Sequence, residues 1–156
     1  MIVIRELPVR DPVAAPVVRA YLTEMVARYH GRPASAPEVD AALADDPGDD
    51  LIALLVAFRG DTAVGCAGLR PAEPPVGEIT KMFVLPAARR TGVARRLLAA
   101  IEELALDRGL RTLRLDTRTD LVEARALYAA AGFTEIPPHR DRAYADHWFA
   151  KSIAQE

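Results

Sequence analysis

Several residue types are scarce in this 156-residue chain, and each scarcity excludes something. A single cysteine, Cys66, excludes an intramolecular disulfide and a cysteine-held zinc site. The three histidines, His30, His139 and His147, stand far apart without metal-ligand spacing, so no metal is expected. Only two serines occur, Ser35 and Ser152, and neither sits in the strand–turn–helix setting of a serine nucleophile. Asparagine is absent altogether. There is no basic excess: 20 basic residues face 22 acidic ones, a formal net charge of −2. That balance speaks against nucleic acid as a partner. The longest apolar runs, such as Leu51–Phe58, fall far short of the roughly 18 residues of a membrane span, so no membrane is expected either. The opening Met1–Pro8 resembles no signal peptide, which makes the cytoplasm the expected compartment.

What remains is a globular composition, 51% hydrophobic and 27% charged, in a length that suits one domain over residues 1–156. The pattern predicts a strand over Ile2–Val9. Asp11 followed by Pro12 predicts a helix start, with the helix running to Tyr29 and stopped by Gly31. Ser35-Ala-Pro-Glu38 fits a capping box and opens a short second helix to Ala44, stopped by Asp45-Asp-Pro-Gly-Asp-Asp50. Leu51–Phe58 and Ala63–Leu69 read as a hairpin about Arg59-Gly60-Asp61-Thr62, and Glu78–Leu85 as a further strand ended by Pro86. Val93, Leu97, Ile101, Leu104 and Ala105 recur at helical spacing. Thr112–Leu115 is a short strand. Asp120 is placed to cap a helix to Ala131, with Gly132 at its C′ position. Phe133–Ile136 and His147–Ile153 read as two closing strands. The order βααβββαβαββ predicts an α/β (α+β) fold with a mixed, mainly antiparallel sheet flanked by helices.

The most informative stretch is Glu78–Pro86 followed by Ala87-Ala-Arg-Arg-Thr-Gly-Val-Ala94 and Arg95-Arg-Leu-Leu98. A strand leads through a basic turn with one glycine into an amphipathic helix. The N–H groups at such a helix start, with Gly92 and the charges of Arg89, Arg90, Arg95 and Arg96, make a pyrophosphate cradle. An ordinary turn has the same outline. The Gly-Lys-Ser/Thr of a P-loop and the three-glycine dinucleotide fingerprint are both missing.

Arg89-Arg-Thr-Gly92-Val-Ala94 resembles the Arg/Gln-x-x-Gly-x-Gly/Ala loop of the GCN5-related N-acetyltransferase (GNAT) family. Leu127-Tyr128-Ala-Ala-Ala-Gly132-Phe133 resembles that family's Leu-Tyr-x-x-x-Gly-Phe segment. The resemblance implies that Arg89, Arg90, Thr91, Gly92, Val93, Ala94 and Arg95 hold the pyrophosphate of acetyl-coenzyme A. It implies that Met82, Phe83 and Val84 pair with the pantetheine arm, with the Val84 N–H beside the thioester carbonyl. Tyr128 would protonate the leaving thiolate, and a core aromatic is its plainer reading. The family's usual asparagine, seven residues before this tyrosine, is Leu121 here, with Thr117, Thr119 or Asp120 as replacements.

Glu78, 11 residues ahead of Arg89, resembles the catalytic base of histone-modifying members, or is a solvated strand-end carboxylate. Period-two alternation predicts Glu78, Thr80, Met82 and Val84 on one face. Tyr29, His30, Arg140, Arg142 and Tyr144 are the acceptor candidates, and Cys66 and Trp148 read as packing residues. The expected activity is transfer of acetyl from acetyl-coenzyme A to a primary amine of a small molecule, by direct attack in a ternary complex. A non-catalytic acyl-coenzyme A sensor and a peptide or protein acceptor are the alternatives. Trp148 and Phe149 on a late strand, taken as an edge, predict a homodimer.

Overall fold

The computed structural model describes residues 1–118, 121–138 and 146–154. Its centre follows from strand alternation. Along β2 (Ala53–Arg59), Leu54, Val56 and Phe58 enter one apolar core while Leu55 and Ala57 enter the other. A strand buried on both faces reads as a continuous apolar run, as this one does. β2 pairs antiparallel with β1 (Ile2–Leu7) and with β3 (Thr62–Pro71), the latter through the Gly60-Asp61 turn. β3 pairs antiparallel with β4 (Val76–Val84).

Two helices cover one face of the sheet. α1 (Ala15–His30) begins later than the Asp11-Pro12 signal predicts. Pro16 is the reason: counted from Pro12, it would stand inside the helix, where its missing N–H breaks the ladder. Asp11 instead closes a turn, its Oδ1 accepting from the Val13 N–H at 2.8 Å. α2 (Ala36–Asp45) carries the expected capping box, with the Ser35 hydroxyl accepting from the Glu38 N–H and the Glu38 carboxylate from the Ser35 N–H. The core on this side holds Val17, Val18, Leu22, Val39, Cys66 and Phe83.

The other face is covered by α3 (Val93–Asp107), whose Val93, Leu97, Ile101 and Ala105 are buried as their spacing predicts; Leu98 is buried beside them, and Leu104 is half-buried. Each buried Val, Leu or Ile side chain there contributes roughly 1.5–3 kcal/mol by leaving water. Beyond α3 come β5 (Thr112–Thr117), α4 (Val122–Ala130), β6 (Thr134–Ile136) and β7 (His147–Ser152). Sheet order among the described residues is β1-β2-β3-β4-β5-β7-β6, and β4–β5 is the one parallel pair. The expected element order and mixed fold are therefore observed.

β7 lies between β5 and β6 and is not an edge. Trp148 and Phe149 are buried, so the edge-strand argument for a homodimer is removed: these aromatics are already covered within the chain. Asp120, the expected cap of α4, lies outside the described residues. No described helix is long and apolar enough to cross a membrane.

Candidate active site

β4 and β5 are joined only at their beginnings, where Val76, Gly77 and Glu78 pair with Thr112, Leu113 and Arg114. Beyond that the strands part, and β4 from Ile79 onward pairs with β3 alone. In the separated stretch β4 also bulges. Cys66 stands opposite Phe83 and Gly68 opposite Thr80, so Lys81 and Met82 together face Ala67. Lys81 has φ of 55°, the left-handed region that a side chain adopts at a cost.

The extra residue reverses the alternation. Before the bulge, Ile79 packs into the α3-side core; after it, Met82 and Val84 do. Glu78 points to the opposite face, where Arg70 stands across from it. The expectation that Glu78, Thr80, Met82 and Val84 share a face is thus corrected. The bulge also aims Val84. Leu85 N–H donates to Val64 C=O at 2.8 Å, which makes the intervening Gly65–Val84 pair a non-hydrogen-bonded one. In an antiparallel ladder such a residue turns its N–H and C=O away from its partner strand, here into the gap beside β5.

The turn after β4 is held by the Thr91 hydroxyl, which donates to Ala88 C=O at 2.6 Å. Arg90 and Gly92 have φ of 64° and 84°. A Cβ at Gly92 would meet nothing within 4 Å, so the space in front of this backbone is open. No side chain caps α3, and the first turn bond is Arg96 N–H to Gly92 C=O. The N–H groups at the start of this 15-residue helix thus face the same space with the helix dipole behind them.

These elements enclose a cavity of about 1420 Å³. Met82, Phe83, Val84, Arg89, Arg90, Gly92, Val93, Ala94 and Arg95 all line it, as do Thr117, Leu121 and Tyr128. The Tyr128 ring packs against Phe133 and Phe149 at centroid distances of 5.9 and 6.2 Å. Burial, and then the Asp116 charge, push its hydroxyl well above the usual phenol range. It therefore keeps its proton across neutral pH.

A family model described as the acetyltransferase (GNAT) family matches residues 19–133. The chain belongs to the GNAT family. Its 88-residue match to the "IAA acetyltransferase" of Azospirillum brasilense is 41% identical and covers 56% of this chain and 58% of that protein. The chain thus spans little more than half of that relative. A 109-residue match to the aminoglycoside N(6')-acetyltransferase type 1 of Stenotrophomonas maltophilia is 33% identical and covers 59% and 71%. Among solved structures, the PaiA N-acetyltransferase of Thermoplasma acidophilum in complex with coenzyme A superposes with a TM-score of 0.75 at 16% identity. That likeness covers 97% of this chain and 99% of the other, and it is one of fold.

In this GNAT chain the remaining candidates lie elsewhere. Glu78 is buried, 3.5 Å from the Arg114 guanidinium, which also reaches Glu73 at 3.1 Å; it is not part of the cavity wall. Tyr29 is 48% exposed. His30 Nε2 lies 3.2 Å from the Glu38 carboxylate. Neither Tyr29 nor His30 lines the cavity. Arg140, Arg142 and Tyr144, with Thr119, lie outside the described residues. Cys66 is buried, its Sγ donating to Lys81 C=O at 3.1 Å, and burial raises its thiol pKa, which leaves it inert as a nucleophile.

Sequence reasoning missed several wall residues. Tyr21 fell inside the predicted first helix without a functional signal of its own. The aspartates of 45–50 carried only a helix-stop signal, yet Asp46 now sits 3.6 Å from the buried Lys81 and 2.8 Å from Arg70. Asp116 carried no signal at all; it is half-buried on β5 in the wall, and its charge reaches both Tyr21 and Tyr128.

Proposed function

We propose that the protein transfers an acetyl group from acetyl-coenzyme A to a primary amine of a small molecule, by direct attack with both substrates bound at once. The parting of β4 from β5 carries this reading, because it opens onto one cavity the Val84 edge, the uncapped start of α3 and the Tyr128 ring. A volume of about 1420 Å³ exceeds the roughly 300–1,000 Å³ of a pocket for one drug-sized ligand, as the nucleotide and long arm of coenzyme A require. The residues fit coenzyme A: open N–H groups and arginines suit a pyrophosphate, and a one-sided strand edge suits an extended amide chain. The names of the Azospirillum and Stenotrophomonas relatives support a small acceptor.

Bound acetyl-coenzyme A supplies an acetyl group activated as a thioester. The main chain of Arg90–Arg95 binds the phosphates. Met82–Val84 orients the arm, and the Val84 N–H is the donor for negative charge growing on the carbonyl oxygen, a contribution of about 3 kcal/mol where such a donor is preorganised. Tyr128 holds the proton for the leaving sulfur. Asp116 is our choice to take the amine's proton, because it lines the cavity and Glu78 does not. Glu78 is given the task of holding Arg114 at the β4–β5 junction.

Two measurements test the proposal. Coenzyme A at 100 times its Kd should add about 2.7 kcal/mol, a rise in Tm of about 5–10 °C for a chain of this size. Free thiol release across an amine panel should identify the acceptor, and Asp116→Asn should depress it far more than Glu78→Gln. An unmoved melting curve overturns the cofactor reading. Tight binding without acetylation of any amine favours the sensor, and the reverse order of the two carboxylate variants restores Glu78 as the base.

A further inference from the structure

Arg89 opens the basic turn, and the family resemblance marks it as a cofactor ligand, yet its guanidinium is engaged elsewhere. Nε donates to the Val84 carbonyl at 2.9 Å. Nη2 donates to both carboxylate oxygens of Glu24 on α1, at 2.9 and 3.0 Å. The guanidinium carbon stands 5.6 Å from the centre of the Phe83 ring. One side chain therefore ties together α1, the free end of β4 and the turn before α3. The Val84 carbonyl faces the side where β4 has no strand partner, and Arg89 supplies the donor that β5 would have given. Glu24, which also lies 3.8 Å from Arg28, offsets part of the charge of the same guanidinium, and its own carboxylate would repel a phosphate brought close.

Resting on the site reading above, we infer that Arg89, held by Glu24, is a positioning residue. It fixes the peptide groups flanking Val84 and the distance between α1 and the α3 turn. The phosphates are then held by the main chain of 90–95 and not by the Arg89 side chain. Turning about Val84 would swing its N–H out of line, and a displacement of about 1 Å at a reacting centre costs roughly 10²-fold in rate. α1 also contributes Tyr21, Met25 and Arg28 to the cavity wall, so the Glu24–Arg89 pair sets both sides of the site together.

The test compares Arg89→Gln, Arg89→Lys and Glu24→Gln in the full chain. It reads coenzyme A affinity by calorimetry, the 13C resonance of the Val84 carbonyl in ligand-free protein, and kcat with the amine found by thiol release. In Arg89→Gln the coenzyme A Kd should stay within about threefold, the Val84 resonance should move, and kcat should fall roughly 10²-fold. Arg89→Lys should not restore kcat, because one ammonium cannot span both partners as the guanidinium fork does. Glu24→Gln keeps the Nε bond, so its kcat loss should be smaller and its Val84 resonance nearly still. A tenfold or greater loss of coenzyme A affinity in Arg89→Gln would make Arg89 a phosphate ligand and overturn the inference. So would an unmoved Val84 resonance, or wild-type kcat. Should the wild type neither bind coenzyme A nor release thiol, the site reading fails, while the Val84 resonance still decides whether Arg89 holds that carbonyl.

Discussion

The two halves of β4 have opposite surroundings. Val76–Glu78 carries the junction with β5, and its Glu78 is buried against Arg114. Met82–Val84 pairs on one side only and leaves its other edge in a cavity. A single inserted residue, Lys81, separates the halves and reverses which face each side chain takes. One strand thus serves as framework at its start and as binding edge at its end, so neighbours four residues apart should respond differently to substitution.

The largest effect should come from the group facing the open half. Tyr128→Phe keeps the packed ring and removes the proton donor, so kcat should fall roughly 10²–10⁴-fold with coenzyme A affinity nearly unchanged. Parallel loss of both would make Tyr128 a packing residue, and wild-type turnover would assign the proton to another donor. Next comes Gly92→Val, across the gap from Val84. Among the described residues nothing lies within 4 Å of a Cβ at this position, so the fold should survive with about 1–2 kcal/mol of left-handed backbone strain. Coenzyme A affinity should drop by more than about tenfold, or 1.4 kcal/mol. Unchanged calorimetric affinity would reduce this turn to a connector.

Glu78→Gln probes the framework half and should show the inverse pattern. Breaking a buried ion pair costs about 3–5 kcal/mol; Arg114 keeps Glu73, so roughly 1–3 kcal/mol is expected in denaturant unfolding. Turnover should change little, and a large loss of kcat at unchanged stability would erase the contrast between the halves. The smallest effect calibrates the others far from β4. Ser35→Ala removes the α2 cap and should cost about 1 kcal/mol without touching coenzyme A binding. The Arg32 guanidinium, then the Ser35 N–H and hydroxyl, hold the Glu38 carboxyl well below the usual carboxylate range. A group whose folded pKa is depressed stabilises above its unfolded pKa and loses that contribution as pH falls through the folded value. Tm should therefore decline from about pH 5 downward, and Glu38→Gln should flatten that decline.

Local signals were legible wherever one short segment carried the whole cause. The Ser35–Glu38 box, the 60–61 hairpin and the α3 stripe all form where spacing predicts. The α1 start was misread because Asp11-Pro12 is a good signal in isolation, whereas Pro16 acts one turn later. The site was legible in the same uneven way. Loop and tyrosine stand out because helix-end backbone and an apolar stripe leave sequence marks. The wall residues Tyr21, Asp46, Lys81 and Asp116 come from three elements and the segment after α2, and they share no spacing.

By itself the sequence determined the order of elements, the buried face of α3, the α3 turn with its glycine and the family, because each rests on neighbours within a few residues. Tertiary structure alone decided the parting of β4 from β5, the bulge that turns Glu78 away from Val84, the placing of β7 inside the sheet and the Arg89–Glu24 tie. These depend on the register between strands and on contacts across as many as 65 positions, set by how whole faces pack and not by any residue's local preference.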